Sequence, residues 1–432
     1  MVPSSTFSQQ VVRSGDQPIS RLMHLALSRP ELISLAAGFV DQASLPVEAT
    51  GAAIASVLED PIVARAALQY CSTPGHVGLR AAVLDRLLSA DGARAAESRL
   101  SVNNVVLTAG SNQMLSFVAA AVLDPGDIVL AATPTYFVFL GILAGLGARV
   151  IGVAADEDGL IPEALEAELE RLRKTDSLGR VKLLYVASYF DNPSTVTLPP
   201  QRRARIVEII KRYSRPQPIY ILEDAAYREL RYSGVDTPSM RSFDESGDTV
   251  IVAETFSKSF APGVRVGWGV LPPSLVGPVC DLKGNFDFGS PSLNQHLMAA
   301  VLARGLFEPH LAELRRCYAA KLQAMLRAAD AHLSGIEGVA WNRPSGGLYL
   351  WLRLPSAVDA GLDSPLFQSA LASGVFYAPG EYFYPGEGVP VERHTIRLSF
   401  GVQSAANIER GVAALAVALR EQLTLAQVEL SR

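Results

Sequence analysis

An amine just past the end of a buried strand is well placed for chemistry, and Lys258 stands at such a point. It follows the apolar, β-branched run Thr249-Val250-Ile251-Val252, which reads as a buried strand after which the chain must turn. Around it are hydroxyls at Thr255, Ser257 and Ser259, a Pro-Gly turn at 262 and 263, and Arg265 seven residues on. A nucleophilic amine, hydroxyl donors and a guanidinium suit an anionic phosphate with an electrophile beside it. A Schiff base to pyridoxal phosphate (PLP) needs that set, whereas a solitary lysine after a strand would be a plain loop residue.

Other stretches end strands in residues of the same chemistry. Val105-Val106-Leu107-Thr108 leads through Gly110-Ser111-Asn112 into a helical run from Met114 to Val122. A helix start of this kind offers free backbone N–H groups and a positive dipole end, which hold phosphate without a full charge. The run Asp127 to Thr133 ends in Pro134-Thr135-Tyr136, and Val181 to Val186 leads to Asn192-Pro193. Ile219-Tyr220-Ile221-Leu222 ends in Glu223-Asp224, with Tyr227 three residues after the aspartate. Arg397, on a short strand among apolar neighbours, can present two parallel donors to a carboxylate; Arg353 and Arg393 are rivals for that role.

The segment from Thr255 to Trp268 resembles the S-x-S-K-x-x-x-P-G-x-R-x-G-W signature of fold-type I PLP enzymes, the aspartate-aminotransferase-like class I/II group, with Thr255 where Ser is more usual. The resemblance runs from about residue 19 to 415 and includes the 2-aminoadipate and kynurenine type of aminotransferase. It implies that Lys258 carries PLP, that Asp224 pairs with the pyridine nitrogen, that Asn192 and Tyr227 bond the ring oxygen, and that Tyr136 lies over the ring. It further implies a phosphate site of Gly110, Ser111, Asn112, Thr255, Ser257 and Arg265, with Arg397, Asn192 and Gly38 meeting the substrate. Leu68-Gln69-Tyr70 through Leu79-Arg80 is similar to the family block whose tyrosine reaches the phosphate of the neighbouring subunit, so Tyr70 implies a homodimer with shared sites; a core tyrosine is the plain alternative. Asp287 to Ser292 is similar to a loop crossing to the partner, and Pro344 to Leu352 opens the C-terminal unit.

One block departs from the pattern. Where the family has P-x-x-Q-N-P-T-G-x-T, this chain has Ser188, Asp191 and Ser194-Thr195 in place of Pro, Gln and Thr-Gly. Two alternatives to transfer of an amino group onto a 2-oxo acid therefore stay open: β-elimination or another α-carbon reaction on the same fold, and a PLP-binding sensor. A sensor of that type carries a basic winged-helix segment ahead of the PLP domain, and only some twenty polar residues precede the match.

The elements that position these residues form an α/β chain. The family fold implies a mostly parallel seven-stranded sheet between helices in residues 51–304, with residues 1–50 and 305–432 forming a smaller α+β unit. The helix from Pro199 to Tyr213 carries Ile206, Ile209 and Ile210 on one stripe, with Arg202, Arg203 and Arg205 read as a solvated face. Arg21, on a helix-like segment ahead of Ile33, is also read as solvated.

With 432 residues, 49% apolar and a formal charge of −5, the chain suits a compact two-domain protein without a nucleic-acid or anionic-membrane partner. Three scattered cysteines fit a reduced, cytoplasmic setting, and six histidines without metal-ligand spacing argue against a metal site. Met1 to Thr6 has no signal-peptide pattern, and the apolar run from Tyr136 to Ala148 is too short to span a bilayer.

Overall fold

Apolar, β-branched runs bounded by turns become the seven longest strands of one sheet. They are β1 (Val105–Thr108), β2 (Ile128–Thr133), β3 (Arg149–Asp156), β4 (Val181–Ala187), β5 (Tyr220–Asp224), β6 (Val250–Thr255) and β7 (Gly267–Val270). In this computed structural model, which describes residues 6–15, 18–92 and 99–430, their order across the sheet is β3-β2-β4-β5-β6-β7-β1. Residues 1–5, on which most of the targeting reading rests, lie outside the described residues.

Neighbours from β3 to β6 run parallel, and β7 runs antiparallel to both β6 and β1. Helices cover both faces, so the central strands need no polar side: Val250, Ile251, Val252 and Ala253 are all fully buried. Two short strands join the seven, Gly159–Leu160 beside β3 and Glu387–Gly388 at its outer edge.

Register brings the chemistry to one end of the sheet. Ala187 pairs with Asp224 and Asp224 with Ala253, so the carboxyl ends of β4, β5 and β6 are level. Thr255 pairs with Gly267, and Gly267 with Thr108, which brings the turn at Gly110 beside the segment that holds Lys258 and Arg265. Only glycine fits at 267, since a Cβ there would lie 2.5 Å from the carbonyl carbon of Gly110.

The smaller unit has a four-stranded antiparallel sheet of β8 (Ala340–Trp341), β9 (Tyr349–Arg353), β10 (Ala378–Pro379) and β11 (Thr395–Ser399), in the order β8-β9-β11-β10. The long helices Phe307–His332 and Ala405–Leu430 pack on each other beside it. Ile33–Ser34 pairs in parallel with Val375–Phe376, which ties the N-terminal segment to this unit. No helix among the described residues is long and apolar enough to cross a membrane.

One expectation is overturned. Arg202 and Arg205 are surface residues paired with Asp156 and with Glu166 and Glu208, but Arg203 is wholly buried. Its guanidinium donates to the carbonyls of Ser188 (2.6 Å) and Leu198 (2.7 Å) and to Glu223 (2.9 Å). The helical stripe could not reveal this, because its partner Glu223 alternates out of the pocket-facing side of a strand distant in sequence. Arg21 meets Asp363 at 3.9 Å on the surface, as a solvated residue would.

Candidate active site

Lys258 lies in the turn after β6, and its Nζ donates to the carbonyl oxygen of Gly38 at 2.9 Å. Burial pushes its pKa below the ordinary lysine value, and the positive charges of Arg397 and Arg265 add to this while Tyr349 opposes it. Both the burial and the nearby cations favour the neutral amine, the form that attacks a carbonyl.

Asp224 ends β5 as a buried carboxylate with two donors: Tyr185 Oη reaches Oδ2 at 2.9 Å and the Ala226 N–H reaches Oδ1 at 3.1 Å. Burial raises its pKa, while those two donors pull it back. A buried acid of this kind is completed by a cation, and a protonated heteroaromatic nitrogen supplies one.

At the start of the helix Ser111–Val122, Gly110 caps with φ of 83°, a region L side chains rarely enter. A Cβ there would lie 2.7 Å from Arg265 Nη2, so the glycine also admits the guanidinium. Arg265 donates to Ala109 O at 2.9 Å and to Ser257 Oγ at 3.4 Å, and Thr255 Oγ1 donates to Ser257 Oγ at 2.9 Å. Helix start, guanidinium and hydroxyls together make a cup for a phosphate.

Aromatic side chains and the guanidinium of Arg397 lie close by. Tyr136 caps the helix Phe137–Leu146, and its hydroxyl donates to Asn112 Oδ1 at 3.4 Å. Tyr227 Oη lies 2.8 Å from Tyr349 Oη. Buried Arg397 gives one N–H to Asn192 Oδ1 and one to Ala36 O, both at 2.6 Å. Its guanidinium lies 4.1 Å from the centre of the Tyr349 ring, and its Nε is buried without a partner. Since a guanidinium carries five N–H donors, a carboxylate could still be held in the fork. Arg353 and Arg393 face outward, paired with Glu392 and with Asp359 and Glu381.

Ser111, Asn112, Tyr136, Asn192, Asp224, Tyr227, Thr255, Ser257, Lys258 and Arg265 all line one cavity of about 160 Å³, with Tyr185 as a further wall. A half-buried amine, a phosphate cup and a buried carboxylate that forms no ion pair among the described residues, set around one space, fit PLP in charge. Gly38 closes the lysine side. Tyr70 is not brought in: it is 78% exposed and packs edge-on against Phe288, itself exposed, with ring centres 5.3 Å apart.

Two side chains in the site carry no role in the sequence reading, Tyr185 and Tyr349. For Tyr185 the signal was strand alternation, which puts its side chain on the same face of β4 as Leu183 and Ala187, beside the end of β5. Tyr349 comes from β9 of the smaller unit, and no spacing along the chain links it to Lys258.

The departing block is absorbed structurally. Ser188 Oγ donates to Glu223 at 2.6 Å, and Thr195 takes φ of 60° where the family pattern has glycine. That strain is met by Asn342, whose amide donates to Ser194 O and Thr195 Oγ1. Asp191 accepts from Ser194 Oγ at 2.7 Å and lines a second cavity of about 510 Å³ with Trp341, Asn342 and Trp351; Ala187 is common to both cavities.

Burial pushes the Asp191 carboxyl up from 3.8 to about 7. Between those values the folded chain holds a proton that the unfolded chain has released, so stability falls as pH rises through this window and the loss is complete above it. Asp191→Asn should therefore be more stable than the parent at pH 8, by on the order of 2 kcal/mol, with the gap shrinking toward pH 5. Thermal unfolding at the two pH values checks this, and an equal gap at both would contradict it.

Comparison with known proteins places these features in context. The family model for aminotransferase class I and II matches residues 30–415. The chain is 32% identical over 424 residues to 2-aminoadipate transaminase of Thermus thermophilus, covering 98% of each chain. It is 30% identical over 417 residues to aromatic-amino-acid aminotransferase 1 of Thermococcus litoralis, covering 96% of this chain and 94% of that one. The crystal structure of Pyrococcus horikoshii kynurenine aminotransferase superposes with a TM-score of 0.88 at 30% identity, over 98% of this chain and 99% of that chain.

Proposed function

The chain belongs to the class I and II aminotransferases, PLP-dependent enzymes of fold type I, and from that premise we propose that the cavity around Lys258 is where it moves the amino group of an L-amino acid onto a 2-oxo acid. The observation that carries this reading is the opening of a half-buried amine, a buried carboxylate and a phosphate cup onto one cavity. When bound there, PLP supplies an electron-withdrawing ring that acidifies the substrate Cα–H bond and carries the amino group between two half-reactions.

The chain's own residues have separate tasks. Lys258 Nζ is the covalent anchor and, once released, the base that takes the Cα proton; the carbonyl of Gly38 keeps that nitrogen in place. With PLP bound, Asp224 would pair with the ring nitrogen and keep it protonated, Asn192 and Tyr227 would bond the ring oxygen, Tyr136 would cover the ring, and Gly110, Ser111, Asn112, Thr255, Ser257 and Arg265 would hold the phosphate. Arg397 orients the substrate carboxylate, with Asn192 fixing its guanidinium, so that the Cα–H bond stands over Lys258.

We further propose a homodimer in which Tyr70 completes the partner's phosphate site. Tyr70, Phe286 and Phe288 are 78%, 76% and 66% exposed, a concentration of aromatic surface that suits an interface. The residues 51–304 are proposed to act as one body and residues 1–50 with 305–432 as the other, a division supported by the pairing of Ile33–Ser34 with Val375–Phe376; limited proteolysis that cut inside 51–304 first would contradict it. A cytoplasmic setting is supported by three free cysteines, and recovery of the protein in a membrane or secreted fraction would count against it.

Assays with a panel of amino donors, 2-oxoglutarate and pyruvate test the reaction. One new amino acid should form per donor consumed, and ammonia released without any acceptor would contradict transfer. In the same assay, mixed Tyr70→Phe and Lys258→Ala chains should exceed the mean of the two parents, because hybrid dimers regain one intact site. Activity equal to that mean would sink the shared-site proposal.

A further inference from the structure

The hydroxyls of Tyr227 and Tyr349 lie 2.8 Å apart, both rings are buried, and they meet edge-on with centroids 5.8 Å apart. Tyr349 is tightly fixed. The Arg397 guanidinium covers its ring at 4.1 Å, and a Cβ at Gly38 would come within 2.5 Å of its hydroxyl, so glycine there leaves the hydroxyl its place. The residue comes from β9 of the smaller unit, while Tyr227 follows β5 of the main sheet.

A phenol has one O–H to give. If Tyr227 spends its proton on the cofactor ring oxygen, as the reading of this cavity as a PLP site requires, then Tyr349 has to be the donor between the two hydroxyls. We propose that Tyr349 is a positioning residue that donates to Tyr227 Oη, aiming the Tyr227 proton at the ring oxygen and strengthening that bond through the chain of two hydroxyls. This rests on the PLP-site reading and goes beyond it, because it assigns direction and purpose to a contact from the other unit. Hydrogen bonds in series polarise one another, so the second donor raises the donating power of the first.

The consequence falls on the proton that the ring oxygen and the lysine nitrogen share when the cofactor is bound to Lys258. Weaker donation from Tyr227 makes the ring oxygen more basic, and the shared proton is then kept to higher pH. The other groups facing this region are Lys258, Asp224, Tyr136, Tyr185, Arg397 and Arg265; Tyr349 also acts directly on Lys258 and Tyr136 and lies under Arg397, and the Tyr227→Phe background separates that direct effect from the one passing through Tyr227.

The test is a pH titration of the visible absorption of the holoenzyme in four forms: the parent, Tyr349→Phe, Tyr227→Phe and the double variant. Tyr349→Phe keeps the ring beneath Arg397, and its midpoint should move up by about half a pH unit. Tyr227→Phe should move it further, and the double variant should match Tyr227→Phe, since the Tyr349 effect passes through Tyr227. A parental midpoint in Tyr349→Phe, or an equal added shift in the Tyr227→Phe background, would overturn the proposal. Absence of a titrating visible band in the parent itself would remove the PLP-site reading, and this proposal with it.

Discussion

Lys258→Ala is expected to lose covalent attachment of PLP and to lower turnover by roughly 10²- to 10⁴-fold through loss of proton transfer alone. The position leaves little room for a substitute. The amine is half-buried at the carboxyl end of the sheet, held by Gly38 O at 2.9 Å, and among the described residues Lys258 is the one lysine lining the cavity. Because burial and two arginines favour its neutral form, the nitrogen can act as nucleophile and then as base without a separate activating group. A small primary amine added to the variant should restore part of the proton transfer but not the attachment. Rapid-mixing spectroscopy of the first half-reaction reads both effects, and a variant turning over within about ten-fold of the parent would contradict the assigned role.

The second large effect is expected at Asp224. Two unit charges about 4 Å apart at an effective dielectric of roughly 20 attract by about 4 kcal/mol. Asp224→Asn keeps the shape but removes the charge, so if that attraction serves the transition state kcat should fall by about 10³-fold. Substrate affinity should change little, because the carboxylate contact proposed above is made by Arg397, which Asn192 holds, and not by Asp224. Burial raises the Asp224 pKa, and a ring cation would lower it again, so the ionised form depends on what occupies the cavity. A variant with kcat near that of the parent and only a raised KM would place Asp224 in binding instead.

Lys258, Asp224 and the Gly110 turn were legible from sequence because each follows directly on a strand, and a strand end is a local signal. The contacts between units were not. Tyr349 of β9 meets Tyr227, which follows β5 of the main sheet, and Asn342 reaches Thr195 across the same boundary. The burial of Arg203 is not visible in its helix, because helical periodicity reports which face is apolar and cannot show that a buried glutamate on β5 awaits a cation. The changes at 188 to 195 looked like a change of chemistry, yet Ser188 and Thr195 are engaged by Glu223 and Asn342, while Asn192 still meets Arg397. Tyr70 illustrates another boundary: it is largely exposed, and the shared site proposed for it needs a second chain.

The central claim is that one side-chain nitrogen, that of Lys258, carries the cofactor. Borohydride reduction of the purified holoenzyme followed by peptide mass analysis tests it most directly. The account predicts loss of the visible band and a single phosphopyridoxyl group on the peptide containing Lys258. A stable adduct on another lysine, or none on a folded protein supplied with PLP, would contradict it.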